Sequence, residues 1–122
     1  MANQEERRKF PRFNFLVDVS FKKKAAFKKE KLSITKNISG VGVCLISYEE
    51  LKVDDNLELK VFMPETKKPM KVMGRVAWVR EFVIGDPQQG KRYDVGVEFL
   101  GLSEEEKEKI NQHLFTLSTG KT

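Results

Sequence analysis

Apolar and polar residues alternate along much of this chain, and the alternation restricts the possible folds more than any other feature of the sequence. Between Phe13 and Phe21 every second residue is Phe or Val, and the residues between them are mostly polar. Successive side chains of a β-strand point to opposite faces, so this pattern predicts a strand with one buried face. The predicted apolar face consists of Phe13, Phe15, Val17, Val19 and Phe21.

The same pattern returns in later stretches that are separated by turn-forming residues. Leu32, Ile34 and Ile38 predict a second strand, and the turn formers between Asn37 and Gly42 interrupt it. Further strands are predicted at residues 43–46, 57–61, 70–83 and 93–99. Gly74, inside the longest of these stretches, predicts a bulge or a sharp bend.

The spacing of the apolar residues changes after the last of these strands. Ser103 and Glu106 form a capping box, which predicts the start of a helix. Ile110, Leu114 and Leu117 then lie on one face of that helix. About six antiparallel strands followed by one amphipathic helix predict an all-β barrel or sandwich, with the helix at an open end.

The reactive side chains argue against an active site. Cys44 is the only cysteine and His113 the only histidine, so we expect no internal disulfide, no metal site and no histidine-based triad. Cys44 lies in an apolar run and is interpreted as a small core residue. No pair of carboxylates suggests general acid and base catalysis, so we predict that the protein is not an enzyme.

Length and apolar content predict a compact protein outside the membrane. The 122 residues, 39% of them apolar, predict a single domain with its own core. No stretch approaches the roughly 18 apolar residues of a membrane span. The N-terminus lacks the apolar region of a signal peptide, so we expect a cytoplasmic protein.

The positive charge is concentrated in the first quarter of the chain. Residues 1–31 contain ten Lys or Arg against four acidic residues, a net charge of +6, whereas the rest of the chain carries −1. An anionic partner such as a nucleotide, a nucleic acid or a membrane surface is therefore expected near the N-terminus. The lysines between Lys22 and Lys31 are interpreted as a solvated hairpin tip rather than a second binding site.

Three arginines, Arg7, Arg8 and Arg12, lie close together before the first strand. Pro11 has no N–H and biases Phe10 away from the helical region, so this segment is expected to be a flexible arm that is extended or bent. The planar guanidinium fork matches a phosphate, or the O6 and N7 acceptors of guanine. A ligand that carries both groups could be held by two such forks.

The arginine arm is followed, about 25 residues later, by Asn37-x-Ser39-x-x-Gly42. Together with Arg8-x-x-x-Arg12, this pattern resembles the two-part signature of PilZ domains, which are bacterial receptors for cyclic di-GMP. That signature is Arg-x-x-x-Arg followed by Asp/Asn-x-Ser-x-x-Gly, and both halves are complete here. The resemblance continues through residues 74–79 and 93–99, which look like the later barrel strands of the family.

The resemblance implies a six-stranded antiparallel β-barrel over residues 13–100, preceded by a ligand-binding arm at 1–12 and followed by a helix at 103–117. It implies that cyclic di-GMP is the ligand, with no other cofactor, and that the signal passes to a partner protein. The implied binding residues are Arg7, Arg8, Arg12, Asn37, Ser39 and Gly42. An arginine directly before the motif accompanies a stacked pair of ligands in that family, so Arg7 implies two molecules per chain.

The residues leave alternative interpretations open. Asn37 and Ser39 also fit a turn between two strands without any ligand. A β-barrel module that binds RNA or DNA through the basic N-terminal quarter is one alternative function, although its aromatic residues would be exposed for stacking, and Phe13, Phe15 and Phe21 are predicted to be buried. A PilZ-type adaptor that binds only protein is another. Trp78, the only tryptophan, is interpreted as a residue of the core or of the barrel end.

Overall fold

A computed structural model of the chain describes residues 12–14, 17–23, 31–64, 66–83 and 90–119. Its elements follow the predicted order of strands and then one helix. They are β1 (Asp18–Lys23), β2 (Lys31–Ile38), β3 (Gly42–Ser47), β4 (Asn56–Phe62), β5 (Met70–Val83), β6 (Lys91–Leu100) and α1 (Glu104–Ser118).

The six described strands close into one barrel in the order β1-β2-β3-β6-β5-β4. All of the strand pairs are antiparallel, and β1 is hydrogen-bonded to both β2 and β4, which closes the sheet and removes its free edges. The closure also brings β3 beside β6, although the two strands are far apart in the sequence. The predicted all-β, six-stranded antiparallel barrel with a C-terminal helix is confirmed.

The interior of the barrel is filled by the apolar residues that the alternation predicted for most strands. Val19 and Phe21 of β1 are buried, as are Leu57, Leu59 and Val61 of β4. Burying a side chain of this size contributes roughly 1.5–3 kcal/mol relative to leaving it exposed. The core continues through Val43 and Leu45 of β3, Val72 and Val76 of β5, and Tyr93, Val95, Val97 and Phe99 of β6.

Strand β2 departs from its predicted burial because it contains a bulge. Its register against β3 shifts between Thr35 and Asn37, so that Lys36 and Asn37 together oppose Cys44. The side chains of Thr35 and Ile38 are therefore both buried although they are three residues apart. The even-numbered residues before the bulge point outward, which corrects the predicted common face. They are Leu32, which is 81% exposed, and Ile34, which is 45% exposed.

Strand β5 also contains a bulge, but at a different position from the predicted one. Gly74 is paired regularly with Leu57 on one side and Phe99 on the other. The register shift instead lies between Val76 and Trp78, where Ala77 is the additional residue. Trp78 is 39% exposed and is paired with Gly96 within the length of β5, so it lies neither in the core nor at the barrel end as it was interpreted.

The beginning of the barrel is shorter than the alternation predicted. Strand β1 starts at Asp18, and Phe13 forms a separate bridge with Ile38. Phe13 donates its N–H to the Ile38 carbonyl at 2.8 Å and accepts the Ile38 N–H at 3.0 Å. Phe13 also packs against the core, so it anchors the chain directly after Arg12. The predicted arm up to residue 11, and Phe15, lie outside the described residues.

Helix α1 begins with the predicted capping box. Ser103 accepts the Glu106 N–H at 3.1 Å, and the Glu106 side chain accepts the Ser103 N–H at 2.9 Å. The hydrogen bond that the Glu106 carboxylate accepts from the Ser103 N–H, helped by the Ser103 side chain, holds the pKa of Glu106 below its ordinary value. Leu114 is fully buried in the barrel core, and Ile110 is packed against the core. No helix among the described residues is long and apolar enough to span a bilayer.

Candidate functional site

A surface cleft of about 230 Å³ lies where β2, β3, β5 and β6 run side by side. A row of paired residues crosses the four strands along the cleft, with small residues at its floor and larger ones at its two sides. Cys44 opposes Asn37 on one side and Gly96 on the other, and Gly96 is also paired with Trp78. The other lining residues are Arg12, Ser39, Val41, Gly42, Val43, Ala77, Val97 and Glu98.

The two sides of the cleft are formed by the two bulges. A bulge inserts one extra residue into a strand and re-aims the side chains around it. In β2 it allows Asn37 to line the cleft while Ile38 remains in the core. In β5 it leaves both Ala77 and Trp78 exposed at the cleft. Because the residues between them, Cys44 and Gly96, are small, a concave surface results.

The indole of Trp78 lies directly over Gly96. A side chain at position 96 would overlap Nε1, Cε2 and Cδ1 of that indole. Gly96 therefore leaves the space that the indole of Trp78 occupies. Trp78 remains 39% exposed, so part of its surface is available to a ligand.

The turn between β2 and β3 closes one end of the cleft. The Ser39 N–H donates to the Gly42 carbonyl at 2.9 Å, and the Ser39 hydroxyl oxygen accepts the Val41 N–H at 3.1 Å. Ser39 is buried, so its side chain has the turn-forming role that the sequence left open. A hydroxyl that accepts one hydrogen bond still has a proton to donate.

A glycine is required at position 42 by close packing between strands. A Cβ atom there would collide with the Val97 carbonyl oxygen of β6, which is backbone and cannot move aside. Gly42 has no positive φ angle; among the described residues, only Asp54, Gly90 and Gly101 do. The reason for this glycine is therefore the contact between β3 and β6 rather than the backbone turn that the sequence suggested.

Charged residues border the cleft. Lys36 Nζ lies 2.7 Å from Asp94 Oδ2, and Arg92 Nε lies 3.7 Å from Asp94 Oδ1. Asp94 is only 3% exposed, so this carboxylate offsets the charge of Lys36. Glu98 is in turn paired with Arg75 at 2.9 Å. Among the described lining residues, Arg12 is then the cation that faces the cleft.

Cys44 lies in the cleft floor rather than deep in the barrel, although it is buried as predicted. Burial raises the pKa of its thiol, and the Asp94 carboxylate raises it further, whereas Lys36 and Arg12 act in the opposite direction. The thiol is therefore protonated at neutral pH, and only the thiolate is a strong nucleophile.

We accordingly expect Cys44 to react with a soluble alkylating reagent more slowly in the folded protein than in the urea-unfolded chain at pH 8. The raised pKa keeps the thiolate fraction small, and the surrounding side chains restrict access. Mass spectrometry of samples quenched over time measures both rates on the same cysteine. Equal rates would contradict the burial of this thiol.

The structure brings four of the six predicted site residues together around the cleft: Arg12, Asn37, Ser39 and Gly42. Arg7 and Arg8 lie outside the described residues. The sequence did not indicate the contribution of Trp78 and Gly96. A sequence signal was present, since Val76 and Val79 are three residues apart, which breaks the alternation of a regular strand. In the structure both residues contact the core, and the bulge lies between them. No group of three or more metal-binding side chains occurs within the described ranges.

The comparison with protein families identifies the chain. The model of the PilZ domain family matches residues 6–116, and the chain therefore belongs to this family. No curated protein sequence matches the chain.

Solved structures share the barrel at low sequence identity. The PilZ domain of YcgR from Escherichia coli, solved with c-di-GMP, has 14% identity and a TM-score of 0.70, with 93% of each chain covered. Inhibitor of motility (MotI/DgrA) from Bacillus subtilis has 18% identity and a TM-score of 0.68; 99% of this chain covers 58% of that one. The MrkH–c-di-GMP complex from K. pneumonia has 18% identity and a TM-score of 0.66; 93% of this chain covers 53% of MrkH.

Proposed function

We propose that this protein is a cyclic di-GMP receptor that binds its ligand in the cleft between the two bulges. The observation that carries the proposal is that Arg12 and the Asn37–Gly42 turn, which are separate halves of a sequence signature, line the same cleft. Family membership supports it, as do the related barrels of YcgR and MrkH that were solved with c-di-GMP.

The lining residues have the chemistry that such a ligand requires. The Arg12 guanidinium, together with that of Arg8, would form forked hydrogen bonds to a phosphate or to the guanine O6 and N7 atoms. The Asn37 side chain has both a donor and an acceptor, and the Ser39 hydroxyl has a proton to donate. Both groups can therefore bind the polar edge of a guanine.

Trp78 would provide the apolar part of the site. Its indole lies over Gly96 and lines the cleft on the β5 side, whereas Asn37 lines it on the β2 side. A purine stacked on an aromatic side chain gains about 1–3 kcal/mol. Since Trp78 is the only tryptophan of the chain, a bound guanine would change the intrinsic fluorescence of the whole protein.

Binding would be coupled to the arginine arm. Arg7 and Arg8 precede the Phe13–Ile38 bridge, which anchors the chain beside the cleft. Arg8 would contact a single ligand, and Arg7 would contribute if a stacked pair of ligands is bound. We infer that the arm closes over the ligand and that this ordering changes a surface seen by a partner protein.

Specificity for guanine tests the proposal. Adenine carries an amine where guanine carries O6, so forked donors reject it. We expect cyclic di-GMP to bind at least about tenfold more tightly than cyclic di-AMP, which lacks the guanine O6, and than GTP, which has only one guanine. Calorimetry and the fluorescence of Trp78 measure the affinities. Equal affinities for the three ligands would reject a guanine site and leave only general electrostatic attraction.

The salt dependence of the same measurement separates the proposal from a nucleic-acid-binding module. A short single-stranded RNA held by lysines such as Lys22 and Lys23 would lose affinity steeply as salt rises, because counterions are released on binding. Cyclic di-GMP, held by the forked hydrogen bonds of the arginine guanidinium groups, should lose much less affinity. A tight, salt-resistant RNA complex would favour the nucleic-acid alternative, and failure to bind any nucleotide would favour a protein adaptor.

A further inference from the structure

Helix α1 contacts the turn that carries the second half of the signature. The Gly40 N–H donates a hydrogen bond to the side-chain Oδ1 of Asn111, 71 residues further along the chain. Gly40 is buried, and Asn111 is half-buried, so water competes little for this bond. The contact joins the C-terminal helix directly to the segment between Ser39 and Gly42.

The helix backbone lies against the same glycine. A Cβ atom at position 40 would collide with the carbonyl oxygen of Lys107, and it would lie 3.0 Å from the carbonyl carbon of that residue. A backbone carbonyl inside a helix cannot turn aside without breaking the helix. Gly40 occupies a variable position of the Asn-x-Ser-x-x-Gly pattern, so its constraint comes from α1 and not from the signature.

The other hydrogen bonds of the turn come from within the barrel. The Ser39 N–H donates to Gly42, the Val41 N–H donates to the Ser39 hydroxyl, and the Val41 carbonyl accepts the Phe99 N–H at 2.8 Å. The Gly40 N–H is satisfied from the helix instead. A buried N–H that loses its partner costs about 1–3 kcal/mol, so Asn111 stabilises one particular conformation of this turn.

The helix can act as a firm support because both its start and its centre are fixed. The capping box of Ser103 and Glu106 holds the first turn, and Leu114 is fully buried in the core one turn after Asn111. Asn111 is therefore presented to the turn from a rigid element rather than from a loop.

We propose that Asn111 is a positioning residue for the nucleotide, which holds the Ser39–Gly42 turn in its binding conformation from outside the cleft. The inference rests on the proposed function. A receptor whose competent conformation is only partly populated shows an affinity reduced by that fraction. Loss of the Asn111 bond therefore weakens binding although Asn111 does not line the cleft.

Linkage makes the effect reciprocal. If the helix stabilises the bound form of the turn, then the ligand stabilises the contact with the helix by the same free energy. Ligand binding is thereby transmitted to α1, on the side of the turn away from the cleft.

The test compares three variants of the full chain: Asn111→Ala, Asn111→Asp and Gln112→Ala. Aspartate keeps an oxygen that can accept the Gly40 N–H, and Gln112, the next residue, is exposed and serves as the matched control. Amide hydrogen exchange of Gly40 without ligand, affinity for cyclic di-GMP and the thermal midpoint are measured for each. Affinities are taken well below every midpoint, so that a purely structural loss of stability leaves them unchanged.

We expect Asn111→Ala to exchange the Gly40 amide faster and to bind cyclic di-GMP about 5- to 150-fold more weakly, in line with the loss of one buried hydrogen bond. Asn111→Asp should keep the exchange rate and the affinity close to their wild-type values, and Gln112→Ala should change neither. An unchanged exchange rate at Gly40 would show that Asn111 does not hold the turn. Faster exchange with unchanged affinity would show that the hydrogen bond from Asn111 does not matter for binding. If the wild-type protein binds no cyclic di-GMP, the proposed function fails, and so does the role of Asn111 in positioning the turn for the nucleotide. The exchange data still decide whether Asn111 holds the turn.

Discussion

Leu114→Ala should lower the free energy of unfolding by about 2–5 kcal/mol, the range for large-to-small substitutions in a packed core. Leu114 is the one fully buried residue of α1 and belongs to the same cluster as the barrel residues Val43 and Leu45. Removing its side chain loses apolar burial and leaves a cavity between the helix and the barrel. Chemical denaturation in urea measures the loss directly.

The neighbouring residue provides the control. Phe115 has a larger side chain than Leu114 but is 51% exposed, so Phe115→Ala should cost less than about 1 kcal/mol. Similar losses for the two variants would show that α1 stabilises the protein through its own helix formation rather than through packing of Leu114 in the core. A small loss for Leu114→Ala would show that the helix is not part of the barrel core.

The strands and the helix were predictable because their signals are local. Alternation marks a half-buried strand within five or six residues, and a capping box marks a helix start within four. Leu114 could be placed on the buried face from its spacing to Ile110 alone. The confirmed outline of the fold rests on such short-range patterns.

The bulge in β2 was not predicted and the bulge in β5 was predicted at the wrong residue, because the position of a bulge is defined by pairing with the opposite strand. The alternation of Leu32, Ile34 and Ile38 suggested one continuous face, but the extra residue opposite Cys44 reverses the faces between Ile34 and Ile38. In β5 the glycine suggested the wrong position for the same reason. Each error moved residues between the core and the surface, and the error in β5 hid Trp78 from the predicted site.

The candidate site was predictable in its polar residues and not in its shape. Arg12, Asn37 and Ser39 could be named from the order of residue types in the chain, because the residue type alone gives the guanidinium, amide or hydroxyl group. The floor of Cys44 and Gly96 depends on which strands become neighbours after closure of the barrel. The support of Gly40 by Asn111 joins residues 71 positions apart, and no local pattern encodes it.

Removing either arginine fork should weaken cyclic di-GMP binding strongly without unfolding the protein. A charge-assisted or bidentate hydrogen bond contributes about 1–3 kcal/mol, so Arg8→Ala and Arg12→Ala should each reduce affinity roughly 10- to 100-fold. Arg12 is exposed at the cleft, and surface substitutions usually change stability by less than about 0.5 kcal/mol. Calorimetry gives the affinities, and thermal denaturation without ligand gives the midpoints.

Two further variants separate the forked geometry of Arg12 from its charge. Arg12→Lys keeps the charge but loses the planar fork, so we expect it to bind nearly as weakly as Arg12→Ala. Lys71→Ala removes one positive charge from the barrel surface outside the cleft lining and should leave affinity within about twofold of wild type, since exposed charges beyond roughly 8–10 Å are screened at physiological salt. If Lys71→Ala weakened binding as much as Arg12→Ala, the ligand would be attracted only by net charge. If both arginine variants bound with wild-type affinity, the receptor proposal itself would be wrong, and a lowered midpoint would make Arg12 a structural brace between the arm and the cleft.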